Sequence, residues 1–346
     1  MTTRFGFLFM PAPPQEYVSW IKEADAIGAE KIGIGDSQSL YRDVYVALTL
    51  AAVNSKRIQI GPRVTNPITR HPAVSASAIA SIDELSDGRA FFAIGTGHSA
   101  PLNIGMKPAK LADMREYVGC MRALFQKGEA PYQGRTVRLT WPKRYVPIYV
   151  AGSGPKALRL AGEIGDGVVI GCGISRSVAQ EALSIVAEGA RASGRELKDL
   201  DVWFYIPSAF AEDTATAQSE VRGSVVSGSH AYFYGGIQGR GVPKHLEDKV
   251  RQLVESYRVD QHIRPNQSQD NYDLIDKLGL REYLVDRFAI AGGPKDVAQR
   301  IRDLASWGVT NIWMSLHAPD KVRTVRVFGR KVLPLLGDQV RVAKEA

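Results

Sequence analysis

At 346 residues, 45% apolar and 8% aromatic, the chain is long enough for one large core or two domains and has the make-up of a globular protein. Its net charge of +8 favours anionic ligands, but the basic residues are scattered with no long run among them, which argues against a nucleic-acid partner. No apolar stretch approaches the roughly 20 residues that cross a bilayer, the N-terminus lacks a secretory signal pattern, and Cys120 and Cys172 form neither a metal motif nor a disulfide framework; the expectation is a cytoplasmic protein with no membrane partner.

Arg4 to Phe9 reads as a first strand, and Pro11, Pro13 and Pro14 form the loop after it, Pro14 suiting a first helical turn. Tyr17, Val18, Ile21, Ala24 and Ile27 recur at helical spacing up to a stop at Gly28. A second strand, 31–34, ends in Gly35-Asp36-Ser37-Gln38, and a helix begins at Asp43. The third strand, 57–61, leads into Val64-Thr65-Asn66-Pro67-Ile68-Thr69-Arg70-His71-Pro72 and then a small-residue helix, 73–85. Its two prolines stiffen that loop while it carries polar side chains. Such a loop is either a rigid turn capped by Thr69 and His71 or a binding element. The fourth strand, 90–94, ends in Gly95-Thr96-Gly97-His98-Ser99, and a helix covers 109–125.

Tyr132-Gln133-Gly134-Arg135-Thr136-Val137-Arg138-Leu139 reads as a small inserted hairpin. The fifth strand, 147–150, ends in Gly152-Ser153-Gly154-Pro155, and the sixth, 167–170, in Gly171-Cys172-Gly173. A helix covers 177–192 and the seventh strand 202–206. The rhythm breaks over 212–287, a polar stretch with helical patches and the aromatic, glycine-rich segment 229–245, a candidate lid. A strand-like run at 288–291, a helix at 295–307, the eighth strand at 311–316 and a closing helix at 321–336 follow. Eight short apolar strands alternating with helices predict an α/β fold, a (β/α)8 TIM barrel of one domain over 1–346, with inserted segments near 127–146 and 212–287. A doubly wound sheet is the alternative, weakened by the lack of a Gly-x-Gly-x-x-Gly after the first strand.

In a barrel the site lies at the C-terminal ends of the strands, where these polar and glycine-rich loops fall. Asp36 is either a cap or turn residue or a site residue, and His98 either a turn residue or a site residue. His317, after the eighth strand, is a further candidate. Gly152-Ser153-Gly154 precedes a helix whose free amides, with those of Gly171-Cys172-Gly173, suit a phosphate. Cys172 reads as a small filler and not a nucleophile. The six histidines show no metal spacing, so the expectation is an organic cofactor and no metal.

Gly35-Asp36-Ser37 with Tyr41-Arg42-Asp43-Val44-Tyr45, Val64 to Pro72, Asp83-Glu84-Leu85-Ser86-Asp87-Gly88-Arg89, Gly95 to Ala100, Gly152-Ser153-Gly154-Pro155-Lys156, Ala161 to Gly167 and Gly292-Gly293-Pro294 together resemble the bacterial luciferase-like superfamily of flavin- or F420-dependent oxidoreductases, in the branch of methylenetetrahydromethanopterin reductase. The resemblance covers nearly the whole chain and is weakest over 212–287. It implies a barrel with Asp36, Thr65 and Asn66 beside the flavin ring, Thr96, Gly97, His98 and Ser99 flanking it, and Gly152, Ser153, Gly154, Gly171, Cys172 and Gly173 at the phosphate. It also implies a cis peptide near Arg63-Val64. F420-using members tend to carry Gly in place of Arg63 and an acid in place of His98, so the resemblance points to FMN. The expected activity is a two-component monooxygenase that takes reduced FMN from a separate flavin reductase and oxidises a small-molecule substrate with O₂, with His98 and Asp36 as catalytic residues. The alternatives are F420-dependent hydride transfer and a non-catalytic flavin-binding barrel. A homodimer or homotetramer is expected.

Overall fold

Short apolar runs closed by caps, glycines and prolines become the strands of this fold. The computed structural model describes residues 2–38, 40–142, 144–258, 270–316 and 318–342. Its strands are β1 (Arg4–Phe9), β2 (Lys31–Ile34), β3 (Gln59–Pro62), β4 (Phe92–Ile94), β5 (Glu129–Tyr132), β6 (Arg135–Arg138), β7 (Ile148–Gly152), β8 (Gly167–Ile170), β9 (Asp201–Phe210), β10 (Ile290–Gly292) and β11 (Asn311–Leu316). The main sheet runs β3-β2-β1-β11-β9-β8-β7-β4, with β10 beside β9, and bridges at Ile60–Ala90 and Thr65–Ile94 join its two ends. This is a (β/α)8 TIM barrel. Parallel strands covered by helices are buried on both faces, which is why they read as unbroken apolar runs. Among the described residues no helix is long and apolar enough to cross a membrane.

The helices that bear on function are α1 (Pro14–Ala26), α2 (Val44–Asn54), α3 (Pro72–Leu85), α4 (Ser99–Asn103), α5 (Leu111–Lys127), α6 (Pro155–Ile164), α7 (Arg176–Ala192) and α8 (Thr214–Phe233). Polar side chains fix where several begin and end. Asp43 caps α2 by accepting from the amides of Tyr45 and Val46 at 2.8 and 3.2 Å. Arg89 gathers the carbonyls of Ala52, Ser55, Ile58 and Ser86 at 2.8–3.1 Å, closing the C-terminus of α2. The Asp83-to-Arg89 motif is therefore structural. Arg195 does the same for α6 through the carbonyls of Gly162, Glu163 and Gly165.

The chain divides into two compact units, one of Met1–Thr3, Gly171–Ala182 and Phe204–Arg341, the other of Arg4–Ile170, Leu183–Trp203 and Val342–Ala346. In the second, larger unit the N-terminal strand ends carry a charged cluster. Lys31 is buried, bonded to Gln59, 3.5 Å from Asp201 and over the rings of Phe91, Tyr149 and Trp203 at 5.1–5.5 Å. Asp201 also accepts from Tyr149 Oη at 2.7 Å and Trp203 Nε1 at 2.9 Å and pairs with Arg4. Burial alone would raise the Asp201 carboxyl, but Lys31, Arg4 and the two donors outweigh it and hold it below the usual range.

In the first unit the structure departs from the sequence expectations in two places. The seventh strand is longer, Asp201–Phe210, because Pro207 and Ser208 stay within the ladder. The 229–245 segment begins as helix, since α8 runs to Phe233 and buries Tyr232 and Phe233; only from Tyr234, which is exposed, does it become loop. The helices Glu247–Ser256, Asp270–Lys277 and Arg281–Phe288 lie in the described remainder of the 212–287 stretch.

Asp201→Asn should lower the unfolding free energy by about 3 kcal/mol at pH 7 in urea denaturation, because it leaves Lys31 buried without its counter-charge. A carboxyl held low in the folded state stabilises above its unfolded pKa of about 3.9 and ceases to do so as pH falls through its folded value. The difference between wild type and variant should therefore shrink below about pH 4; a constant difference would assign the loss to packing.

Candidate functional site

Two residues beyond β2, Asp36 is buried, and its Oδ2 accepts from Thr65 Oγ1 and Arg70 Nη1, both at 2.7 Å. Arg70 reaches in the other direction to Asp43 Oδ2 at 2.9 Å, with its guanidinium 5.0 Å over the Tyr45 ring. Thr65 is itself fixed, its amide donating to Ala93 O and its carbonyl accepting from Gly95, each at 3.0 Å. Asn66 is buried, and its Oδ1 accepts from the amides of Ile68 and Thr69 at 3.0 Å, which folds the loop back on itself. His71 caps α3 through Nδ1 to the Ala73 amide. Arg70 and His71 thus brace the loop. Burial raises the Asp36 carboxyl, and Arg70 and Thr65 oppose that rise. The Arg63–Val64 peptide is cis, where the resemblance puts it.

The loop after β4 packs onto this one. Gly97 has φ +84°, and a Cβ there would lie 2.7 Å from Pro101 Cγ and 2.9 Å from Asn66 Cβ. Backbone and packing both demand glycine. The Thr96 carbonyl accepts from the Ala109 amide at 2.9 Å. Ser99 starts the short helix α4, which the sequence reading missed, and its Oγ lies 2.6 Å from Ser37 Oγ. Gln38 Nε2 donates to Ala100 O at 2.9 Å. His98 precedes α4, and burial lowers its imidazole, which favours the neutral ring. The larger unit therefore gathers Asp36, Thr65, Asn66, Thr96, Gly97, His98 and Ser99 through three successive strand-end loops.

The glycines of the fifth loop divide in purpose. At Gly152 a Cβ would meet the Ala157–Leu158 backbone at 2.8 Å, so that glycine serves helix-on-strand packing. Gly154 has ordinary extended angles, φ −92° and ψ 160°, and a Cβ there would touch nothing within 4 Å. It caps α6 without a side-chain bond, and Pro155 stands at the first helical position, so the first-turn amides have no partner within the helix. Such a helix start fits a phosphate. On the loops after β2 and β3, Gln38 Oε1 and Thr69 Oγ1 are buried without a hydrogen-bond partner.

Gly171, Cys172 and Gly173 belong to the other compact unit. Gly173 has φ +113°, and a Cβ there would lie 2.8 Å from the Arg287 carbonyl. The Cys172 thiol is pushed up to about 12 by burial, in keeping with a filler. Arg287, which the sequence reading did not single out, is buried among Tyr232, Phe233, Tyr283 and Phe288 and donates to the carbonyls of Arg240 and Gly241. An arginine within an amphipathic helix carries no sequence sign of burial. His317 lies outside the described residues, and among those described no cluster suits a metal ion.

The model for luciferase-like monooxygenase matches residues 3–311. A 5,10-methylenetetrahydromethanopterin reductase of Archaeoglobus fulgidus is 30% identical over 345 residues, covering 96% of this chain and 99% of its own. An F420-dependent glucose-6-phosphate dehydrogenase of Kineococcus radiotolerans is 26% identical over 343 residues, with 93% of each chain covered. Among solved structures, the coenzyme F420-dependent tetrahydromethanopterin reductase of Methanopyrus kandleri superposes with a TM-score of 0.77 at 26% identity, over 97% of this chain and 100% of that one. These relatives overturn the FMN monooxygenase expectation and favour F420-dependent hydride transfer. Arg63 and His98 point to an FMN enzyme, but two positions weigh less than likeness along the whole chain. The non-catalytic alternative also gives way, since the relatives are reductases and dehydrogenases.

Gly97→Ala should cost about 1–3 kcal/mol, since it strains a left-handed backbone and overlaps Pro101 and Asn66. Thermal and urea unfolding measure it, and a change within about 0.5 kcal/mol would mean that the two loops are not in contact as described.

Proposed function

This chain belongs to the luciferase-like monooxygenase family of oxidoreductases, and we propose that within it the chain is an F420-dependent enzyme that moves a hydride to or from a small organic substrate. The observation that carries the reading is the match to F420-using proteins over nearly all of the chain. When bound, F420 supplies the two-electron carrier. The residues present fit it: the uncapped α6 N-terminus beside Ser153 and Gly154 suits the cofactor phosphate, while Asp36, Thr65, Asn66, Thr96, Gly97 and Ser99 form a rigid polar wall for a planar ring. In this reading His98, kept neutral by burial, accepts or returns a substrate proton at a ring nitrogen. Asp36, whose carboxyl is raised by burial against the opposing pull of Arg70 and Thr65, orients the reacting groups.

We also read the chain as a homo-oligomer, a dimer or tetramer. α2 buries Val44, Ala47, Leu48 and Ala51, while its outer face exposes Val46 and Val53 on either side of Thr49, and Val74 on α3 is exposed as well. An exposed apolar helix face of this kind suits a second copy of the chain. Val46→Glu with Val53→Glu should lower the sedimentation mass to that of one chain; a one-chain mass in the wild type would refute the oligomer.

Anaerobic assays with F420 in both redox states, across a panel that includes methylenetetrahydromethanopterin and glucose-6-phosphate, test the activity. A substrate-dependent change in F420 absorbance is expected. Turnover only with reduced FMN and O₂ would reject the proposal. Gly154→Val should weaken F420 binding by about tenfold or more, equivalent to about 1.4 kcal/mol, with circular dichroism showing the fold kept. Unaltered affinity would move the phosphate elsewhere.

A further inference from the structure

Arg70 stands apart from the residues that would meet a cofactor. It comes from the loop after β3 and grips two carboxylates at once, Asp36 through Nη1 at 2.7 Å and Asp43 through Nη2 at 2.9 Å. The two partners differ in kind. Asp43 is a half-exposed helix cap already bonded to two amides through Oδ1. Asp36 is buried, and both of its bonds fall on Oδ2. Oδ1 takes part in neither. Arg70 is held in turn by the Tyr45 ring beneath it and by Tyr117, whose Oη donates to the Arg70 carbonyl at 3.2 Å and is 2.7 Å from Ser75 Oγ. The guanidinium therefore ties the end of β2 and the start of α2 to the loop after β3, and it is anchored before any ligand arrives. A planar fork does this where an ammonium would not, because its two nitrogens point in fixed, separate directions.

We propose that Arg70 is a positioning residue of the candidate active site: it locks the Asp36 side chain through Oδ2 as a fixed anion and leaves Oδ1 as the atom that serves the reaction. This rests on Asp36 being a site residue, as proposed above. A buried carboxylate without such a partner takes up a proton and becomes a donor in place of an acceptor. The charged and titratable groups acting on Asp36 are Arg70, which favours the anion, and Asp43 and Tyr45, which disfavour it; Thr65 adds one hydrogen bond. Removing Arg70 leaves only groups that favour protonation, together with that one bond.

The test reads the carboxyl of Asp36 directly. Infrared pH titration of the full-length protein isolates the protonated-acid band that Asp36→Asn removes. In Arg70→Gln that band should titrate about 1–3 pH units above the wild type, the range set by loss of an adjacent opposite charge. In Arg70→Lys, which keeps the charge and loses the fork, it should fall between the two. Circular dichroism verifies folding, and the lysine variant carries the test if the glutamine variant does not fold. Equal midpoints in wild type and a folded variant would overturn the proposal. An arginine that only packs there, its charge unfelt by Asp36, would lower the melting temperature and leave the midpoint unmoved. F420 affinity, measured separately by fluorescence, reports on the cofactor reading alone: a wild type that binds no F420 yet shows the infrared shift rejects the cofactor and upholds Arg70.

Discussion

A carboxylate buried at the end of a strand must be paired, and the pairing of Asp36 with Arg70 and Thr65 sets the shape of the site around it. Arg70 can reach Asp36 only if the chain after β3 turns back sharply. Asn66 makes that turn by accepting two amides, and His71 and Pro72 then start α3. With Thr65 bridged to Ile94, the loop after β4 is drawn against it, and Gly97 is the residue small enough to fit over Asn66. Three loops are thus mutually fixed by one buried ion pair and its neighbours, and a rigid wall of polar atoms results without any ligand to order it.

The opposite ends of the same strands have a different task. Arg4, Lys31 and Asp201 form a charged cluster among Phe91, Tyr149 and Trp203. In a barrel, polar residues at the N-terminal strand ends serve stability and those at the C-terminal ends serve chemistry. Both clusters bury charge, yet the lower one satisfies Asp201 from several donors, while the upper one satisfies Asp36 on a single oxygen.

Much of this was legible in the sequence. The eight barrel strands appear as apolar runs because parallel strands are buried on both faces. Asp43 and His71 stand where helix starts require caps, and the stiff polar loop after β3 announces itself by its prolines. Other features were hidden for physical reasons. α4 is only one turn long, too short for a periodic signal. Gly152, Gly154 and Gly173 look alike as letters, but the first packs, the second leaves space and the third obeys a left-handed φ; only coordinates separate them. Arg287 looks like a surface arginine until its aromatic neighbours are placed. The choice of FMN over F420 was drawn from Arg63 and His98, and residue types at two positions do not determine which ring a wall of backbone and hydroxyl groups admits.

The central claim is that this rigid wall belongs to an F420 site. Equilibrium titration of the purified wild-type protein with F420 and with FMN, each followed by fluorescence under the same conditions, tests it most directly. Saturable F420 binding at least about tenfold tighter than FMN is predicted, a difference of about 1.4 kcal/mol. FMN binding as tight as or tighter than F420 would contradict it.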